Sequence, residues 1–240
     1  MRLDQALHAR GLARSRSQAA DLIRLGRASV GGVVVTKPSY DVGDETRVEL
    51  DADRYVSRAA HKLAGALDDS ATAVPARVLD AGASTGGFTQ VLLERGAQRV
   101  YAVDVGHGQL VDSIRCDARV VVHEGTNLRH LTIDHVEGKP VDLVVADVSF
   151  ISLTLLVAPM LAVLAPTGHA LLMVKPQFEV GRSRLGSGGV VTSPDERAAA
   201  VAAVVTAAAE LGWSEQWSGV SRLPGPAGNV EHFVRLGWIG

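Results

Sequence analysis

The sequence predicts an α/β protein built on an open, mostly parallel sheet, with a smaller α+β unit ahead of it. Three observations carry this expectation. Between residues 77 and 94 an apolar run, an acid, a glycine-rich turn and a helix follow one another, the order that opens a nucleotide-binding α/β sheet. Apolar runs then end at Asp80, Asp104, Glu124, Asp147 and Lys175, with helical or irregular connections between them. That alternation gives parallel strands joined by right-handed crossovers. The first fifty residues differ in period and charge. The expected division is 1–50, a linker at 51–56, and 57–240.

The whole chain sets limits. A length of 240 residues suits a medium domain with a small one attached. A formal net charge of −2 means that any nucleic-acid affinity comes from a local patch. The one cysteine, Cys116, excludes an internal disulfide and a cysteine-built zinc cluster, and suits a reducing, cytoplasmic setting. No apolar core follows the charge at Met1-Arg2-Leu3-Asp4-Gln5, so no signal peptide is expected. The longest apolar stretch, Leu153 to Ala165, is interrupted by Pro159 and falls short of the ~20 residues a spanning helix needs. It reads as a buried amphipathic helix, and no membrane segment is expected. A monomer without a bound metal is the expectation.

In the first unit, Leu3, Ala6 and Leu7 have helical spacing up to Gly11. Ser15 opens a second helix with Gln18 as a capping-box partner, and Gly26 ends it. Residues 28–35 form a hairpin that turns at Gly31-Gly32, and Thr46 to Leu50 adds a strand. Before residue 38, Arg2, Arg10, Arg14, Arg16, Arg24, Arg27 and Lys37 face only Asp4 and Asp21, an excess of five positive charges. A solvated helix face accounts for such a run. So does a convergent surface, because the arginines bracket the turn between the helices and the hairpin tip. Without aromatics, such a surface suits a phosphate backbone better than stacked bases.

Ser57 then caps a helix through Leu67, with Lys62 in its first half. The turn that follows the first sheet strand has glycines at Gly82, Gly86 and Gly87, not at dinucleotide-binding spacing. Asp80 at its mouth repels a pyrophosphate and suits a cation, so S-adenosylmethionine is the cofactor the turn predicts. About twenty residues on, Asp104 stands where a carboxylate grips two ribose hydroxyls. The candidate cofactor residues are Asp80, Gly82, Ser84, Thr85, Gly86, Gly87, Phe88, Asp104, Val105, Asn127 and Asp147. Farther on, Ser193-Pro194-Asp195-Glu196 starts another helix. The glycine-rich stretch 181–189 reads as a lid.

Ligands of open α/β sheets bind beyond the carboxyl ends of the strands. Asp80, Asp147 and Lys175 stand at such ends. A helix that packs before the first strand runs antiparallel to it and brings Lys62 to the same edge. An antiparallel last strand brings Glu231 there too. Taken singly, each has an ordinary reading as a solvated lysine, a helix cap or an ion-pair partner. Together beside a methyl-donor turn they read as a site. Phe150 either stacks on a target base or packs in the core.

Two resemblances follow from these residues. Arg2-Leu3-Asp4, Ser15 to Ala19, Leu22-Ile23, Gly26 and the Val30 hairpin leading to Lys37-Pro38 resemble the alpha-L RNA-binding motif. Nearly the whole chain resembles the two-domain ribose 2′-O-methyltransferases often called haemolysin A, with an FtsJ-like, Rossmann-like class I methyltransferase domain. The segments are Tyr55 to Leu63, Leu79 to Thr89, Val103 to Gly106, Asp142 to Ser152, Val174 to Gly181 and Pro224 to Glu231. The resemblance implies a Lys-Asp-Lys-Glu tetrad at Lys62, Asp147, Lys175 and Glu231. It also implies an antiparallel last strand, S-adenosylmethionine as donor, and cytidine ribose of ribosomal RNA, free or in a subunit, as acceptor. An influence on sensitivity to ribosome-targeting antibiotics goes with that substrate. Arg2, Arg14, Arg16, Lys37, Arg58 and Phe150 are the candidate RNA contacts. A 2′-hydroxyl is a poor nucleophile, so Lys175 is expected to act as base, helped by burial and by Lys62. The competing expectation is a non-catalytic ribosome-binding or assembly factor that keeps the fold.

Overall fold

The computed structural model describes residues 1–51, 55–181 and 185–240. Residues 52–54 of the expected linker and 182–184 of the expected lid lie outside the described residues. The chain forms two compact units, Met1–Arg58 and Ala59–Gly240.

In the first unit, α1 (Leu3–Ala9) and α2 (Arg16–Arg24) precede a three-stranded antiparallel sheet of β1 (Ala28–Val30), β2 (Val33–Val34) and β3 (Val48–Leu50), in the order β2-β1-β3. Leu3, Ala6 and Leu7 of α1 and Ala19 and Ile23 of α2 share one core with Ala28 and Val48, as their helical spacing predicts. The Ser15 hydroxyl caps α2 by accepting the Gln18 amide at 3.1 Å. The Gln18 side chain in turn accepts the amide of Arg14 at 2.8 Å, so the entry to α2 is fixed from both sides.

All of α3 (Arg58–Asp69) but its first residue belongs to the second unit, and its Leu63 and Leu67 are buried. The unit then alternates β4 (Arg77–Ala81), α4 (Gly87–Glu94), β5 (Arg99–Val103), α5 (Asp112–Arg115), β6 (Val120–His123) and β7 (Val141–Ala146). After these come α6 (Val157–Leu161), β8 (Leu164–Val174), α7 (Pro176–Glu179), α8 (Pro194–Ala209), β9 (Trp213–Val220) and β10 (His232–Trp238). The seven strands lie in the order β6-β5-β4-β7-β8-β10-β9. Strands β4 to β8 pair in parallel, and β10 runs antiparallel to both of its neighbours. The order reverses between β4 and β7, and such a switch point opens a crevice at the carboxyl edge. This is the predicted sheet, antiparallel last strand included.

One element departs from expectation. Leu153 to Ala165 is not a single helix: a 3₁₀ turn covers Leu153–Leu155, α6 stops at Leu161, and β8 has begun by Leu164. Leu153, Leu156, Val157, Met160, Leu161 and Leu164 are buried in one core with Leu172 and Val174, whereas Leu155 is exposed; the buried positions keep helical spacing across the change from helix to strand. Periodicity alone does not separate buried helix from buried strand in so short a run.

Candidate active site

Adjacent parallel strands β7 and β8 deliver Asp147 and Lys175 to the same edge, each one residue past its strand. Lys175 Nζ lies 2.6 Å from Asp147 Oδ1 and donates to Ser149 Oγ at 2.8 Å. The Asp147 contact is a close ion pair off the hydrogen-bond line, so Ser149 takes the directed bond. Because β10 runs antiparallel, with His232 opposite Val174, its entry residue Glu231 arrives beside Lys175. Helix α3 brings Lys62 from the other side, and Lys62 Nζ sits 2.5 Å from Glu231 Oε2. Lys62 is 5 %, Glu231 1 % and Lys175 9 % exposed. Two lysine–acid pairs thus meet at one edge, as the topology argument predicts.

Backbone approach seals this cluster. A Cβ on Gly225 would stand 2.7 Å from Glu231 Oε1, so the 224–229 turn passes close over that carboxylate. Asn229, buried in the same turn, accepts the Val191 amide at 2.9 Å and donates to the Gly189 carbonyl at 3.0 Å. The far end of the expected lid is therefore tied down beside Glu231.

Next to the pairs lies a cavity of about 550 Å³, within the usual range for a ligand site. Six of the expected cofactor residues line it: Gly82, Ser84, Asp104, Val105, Asn127 and Asp147. Asp104 accepts the amides of Ser84 at 2.8 Å and Gly106 at 2.7 Å, which aim its carboxylate at the β4 turn. Gly82 has φ +88°, and a Cβ there would stand 2.6 Å from the Asp147 carbonyl, so glycine is what lets the β4 and β7 turns close up.

The other five cofactor candidates are not on the cavity wall. Phe88 is buried against Phe233, with ring centroids 6.3 Å apart. Gly86 and Gly87 are buried at the start of α4, and Thr85 is half-buried in the turn before it. Asp80 is wholly buried and accepts a hydrogen bond from Thr89 Oγ1 at 2.6 Å. Burial pushes its carboxyl up to about 7, against the pull of the Thr89 bond and with help from Asp147 and Asp104. An acid held this way is a poor counter-charge for a cation at the mouth of the turn; it anchors α4 to β4. Sequence reasoning missed Ser149, Gln109 and Thr126, which line the cavity, and its apolar wall at Leu128 and Leu156. For Ser149 a signal existed, since it lies two residues past Asp147 at a strand end.

Phe150 settles one open alternative: it is 92 % exposed at the cavity lip, not in the core. In the first unit the cations divide. Arg10 donates to the carbonyls of Gly43, Asp44 and Thr46, and Arg27 pairs with Asp51 at 2.7 Å, so both support the fold. Arg2 and Arg16 flank buried Asp4 at 2.9 and 3.6 Å. Arg24 and Arg58 share buried Asp21. A cleft of about 360 Å³ in this unit is lined by Arg14, Ser15, Gln18 and Arg58. Lys37 is exposed near the hairpin.

Comparison with known proteins agrees with this geometry. Residues 55–238 match the FtsJ-like methyltransferase family and residues 1–48 the S4 domain. The 16S/23S rRNA (cytidine-2′-O)-methyltransferase TlyA of Mycobacterium tuberculosis is 52 % identical over 239 residues, covering 98 % of this chain and 89 % of the relative. Hemolysin A of Brachyspira hyodysenteriae is 36 % identical, over 98 % of this chain and 99 % of its own. Among solved structures, a proposed hemolysin of Streptococcus thermophilus superposes with a TM-score of 0.75 at 35 % identity, covering 99 % of this chain and 88 % of that one. The chain belongs to the FtsJ-like methyltransferase family and carries an S4 domain at its N-terminus.

Proposed function

We propose that this enzyme transfers a methyl group from S-adenosylmethionine to ribose 2′-hydroxyls of ribosomal RNA, at cytidine, in the cytoplasm. The observation that carries the reading is the meeting of Lys62–Glu231 and Lys175–Asp147 beside the switch-point cavity. The name of the Mycobacterium tuberculosis relative, identical at half of all positions, supports the same substrate.

The cavity fits the donor. Asp104 offers a fixed carboxylate for a ribose diol, Asn127 an amide, and Leu128 and Leu156 an apolar slot for a purine ring. When bound, S-adenosylmethionine supplies an electrophilic methyl group. The protein's part is to hold the acceptor in line and to manage its proton. Lys175 Nζ, in its neutral amine form, is the atom proposed to take the 2′-hydroxyl proton. Asp147 and Ser149 fix that nitrogen in place. Lys62, locked to Glu231, remains the neighbouring fixed charge. Arg2, Arg14, Arg16, Lys37 and Arg58 are the proposed phosphate contacts, and Phe150 the proposed stacking platform for the base. Among the described residues no helix is long and apolar enough to cross a membrane.

The test is methyl transfer from labelled donor to free 16S and 23S RNA and to assembled subunits, followed by mapping of ribose methylation. Label on cytidine 2′-oxygens is the expected result. Tight ribosome binding without any methyl incorporation would instead make the protein an assembly factor.

A further inference from the structure

Glu179 is a half-buried carboxyl that the two lysine–acid pairs leave unused. It ends α7, four residues after Lys175. Its Oε1 accepts the Leu153 amide at 2.8 Å, and its Oε2 accepts the Ser152 hydroxyl at 2.5 Å. The Ser152 oxygen also accepts the Thr154 amide at 3.2 Å and lies 2.7 Å from the Thr154 hydroxyl. Burial pushes the Glu179 carboxyl up while these two bonds pull it down.

Two chain segments, 147–153 and 175–179, are thus fastened at both ends. At one end Lys175 holds Asp147 and Ser149; at the other Glu179 holds Ser152 and Leu153. Between the two fastenings stands Phe150, with φ +65° and its ring 5.3 Å from that of Phe178. A bulky residue at positive φ is strained, and such strain persists only where the surroundings over-determine it. An exposed ring does not over-determine itself by packing; the ties at either end do.

We propose that Glu179 is a positioning residue. Its two bonds clamp the 147–153 segment at the end remote from Lys175, and so hold Ser149 and Phe150 where they meet the acceptor nucleotide. The acceptor's identity rests on the methyltransferase reading above, whereas the clamp itself does not.

The experiment uses the full chain with 4-fluorophenylalanine at position 150, followed by ¹⁹F NMR, single-turnover methylation and calorimetry with S-adenosylmethionine. One sharp fluorine line is expected for the parent. Glu179→Ala should broaden or split it and slow single turnover roughly ten- to a hundredfold, the scale of a misplaced reacting group. Cofactor affinity should stay within about twofold. Glu179→Gln keeps an acceptor for the Leu153 amide and should recover much of the rate. Ser152→Ala removes one bond of the two and should give an intermediate loss, which also serves if the alanine variant does not fold. An unchanged fluorine line with an unchanged rate overturns the proposal. So does a rate that falls in step with cofactor affinity and melting temperature, which marks general damage. If the parent methylates no RNA, the proposed function falls and the fluorine line alone decides on the clamp.

Discussion

Both units pair buried acids with cations, but they do it in opposite ways. In the S4 domain the acid is withdrawn and the cation reaches out: Arg16 is 54 % exposed over Asp4 at 6 %. At the sheet edge both side chains are withdrawn, that of Lys62 6 % exposed and that of Glu231 1 %. An exposed guanidinium on a buried carboxylate is oriented yet keeps most of its five donors for another partner. That suits a surface that meets many phosphates. A lysine locked to an acid in a dry site has one place to be, which suits the handling of one hydroxyl. In the proposed function the same ion-pair chemistry serves breadth in one unit and precision in the other.

The largest effect should come from Lys175. Lys175→Ala is expected to lower single-turnover methylation by about a hundred- to ten-thousandfold, the usual scale for losing a general base. RNA and cofactor binding should survive. Lys175→Arg keeps the charge and cannot give up its proton, so it should not rescue. A near wild-type rate in the arginine variant would make Lys175 a fixed charge like the S4 arginines and erase the contrast.

Stability tests the same contrast without activity. Removing one member of a buried pair costs about 3–5 kcal/mol because the other is left charged and alone. Lys62→Met should show that loss in urea unfolding, and Lys62→Met with Glu231→Leu should recover much of it. Arg16→Met leaves Asp4 with Arg2 and should cost no more than about 1 kcal/mol. Equal losses for Lys62→Met and Arg16→Met would show that burial does not separate the two kinds of pair.

Asp80 is the informative third case, a buried acid held by a hydroxyl without a cation. Burial lifts its carboxyl from 3.8 to about 7. The folded chain keeps that proton to near-neutral pH, whereas the unfolded chain releases it near the ordinary value. Its contribution to stability is therefore whole below about pH 4 and is lost as pH rises through about 7, by up to roughly 4 kcal/mol. Asp80→Asn should flatten that part of the stability–pH curve; a slope unchanged in the asparagine variant would refute the assignment.

These cases also show how far the sequence could be read. Asp147 and Lys175 were legible because strand ends fix position whatever the side chains do. Lys62 and Glu231 were legible once α3 and β10 were given their directions, for direction decides which end of an element reaches the edge. Asp80 was misread because strand-end placement says nothing about side-chain direction, and its neighbour Thr89 lies nine residues on across a turn. Arg10 was counted with the open cations because its partners are backbone carbonyls more than thirty residues away, and main-chain acceptors leave no trace in residue identity. Leu153 to Ala165 failed for a simpler reason: its buried positions Leu153, Leu156, Val157, Met160, Leu161 and Leu164 keep helical spacing, so the period does not mark where α6 ends and β8 begins.

The smallest effect, and the most specific to the S4 side of the contrast, is in salt dependence. Arg14 lines the cleft beside Ser15 and Gln18, and Arg16 leans on Asp4 with its outer face open. If both meet phosphates, the double variant Arg14→Ala/Arg16→Ala loses two contacts and releases two fewer counterions on binding. The slope of log affinity against log salt should then become shallower by roughly 1.4–1.8. Affinity should fall most at low salt and least at high salt, with S-adenosylmethionine binding unchanged. Arg10→Ala is the matched control, because Arg10 already holds three loop carbonyls of its own unit. It should lower the melting temperature of the S4 domain and leave the salt slope alone. A slope that moves in the Arg10 variant and stays fixed in the double variant would reverse the division between structural and phosphate-facing arginines, and with it the reading of the S4 surface.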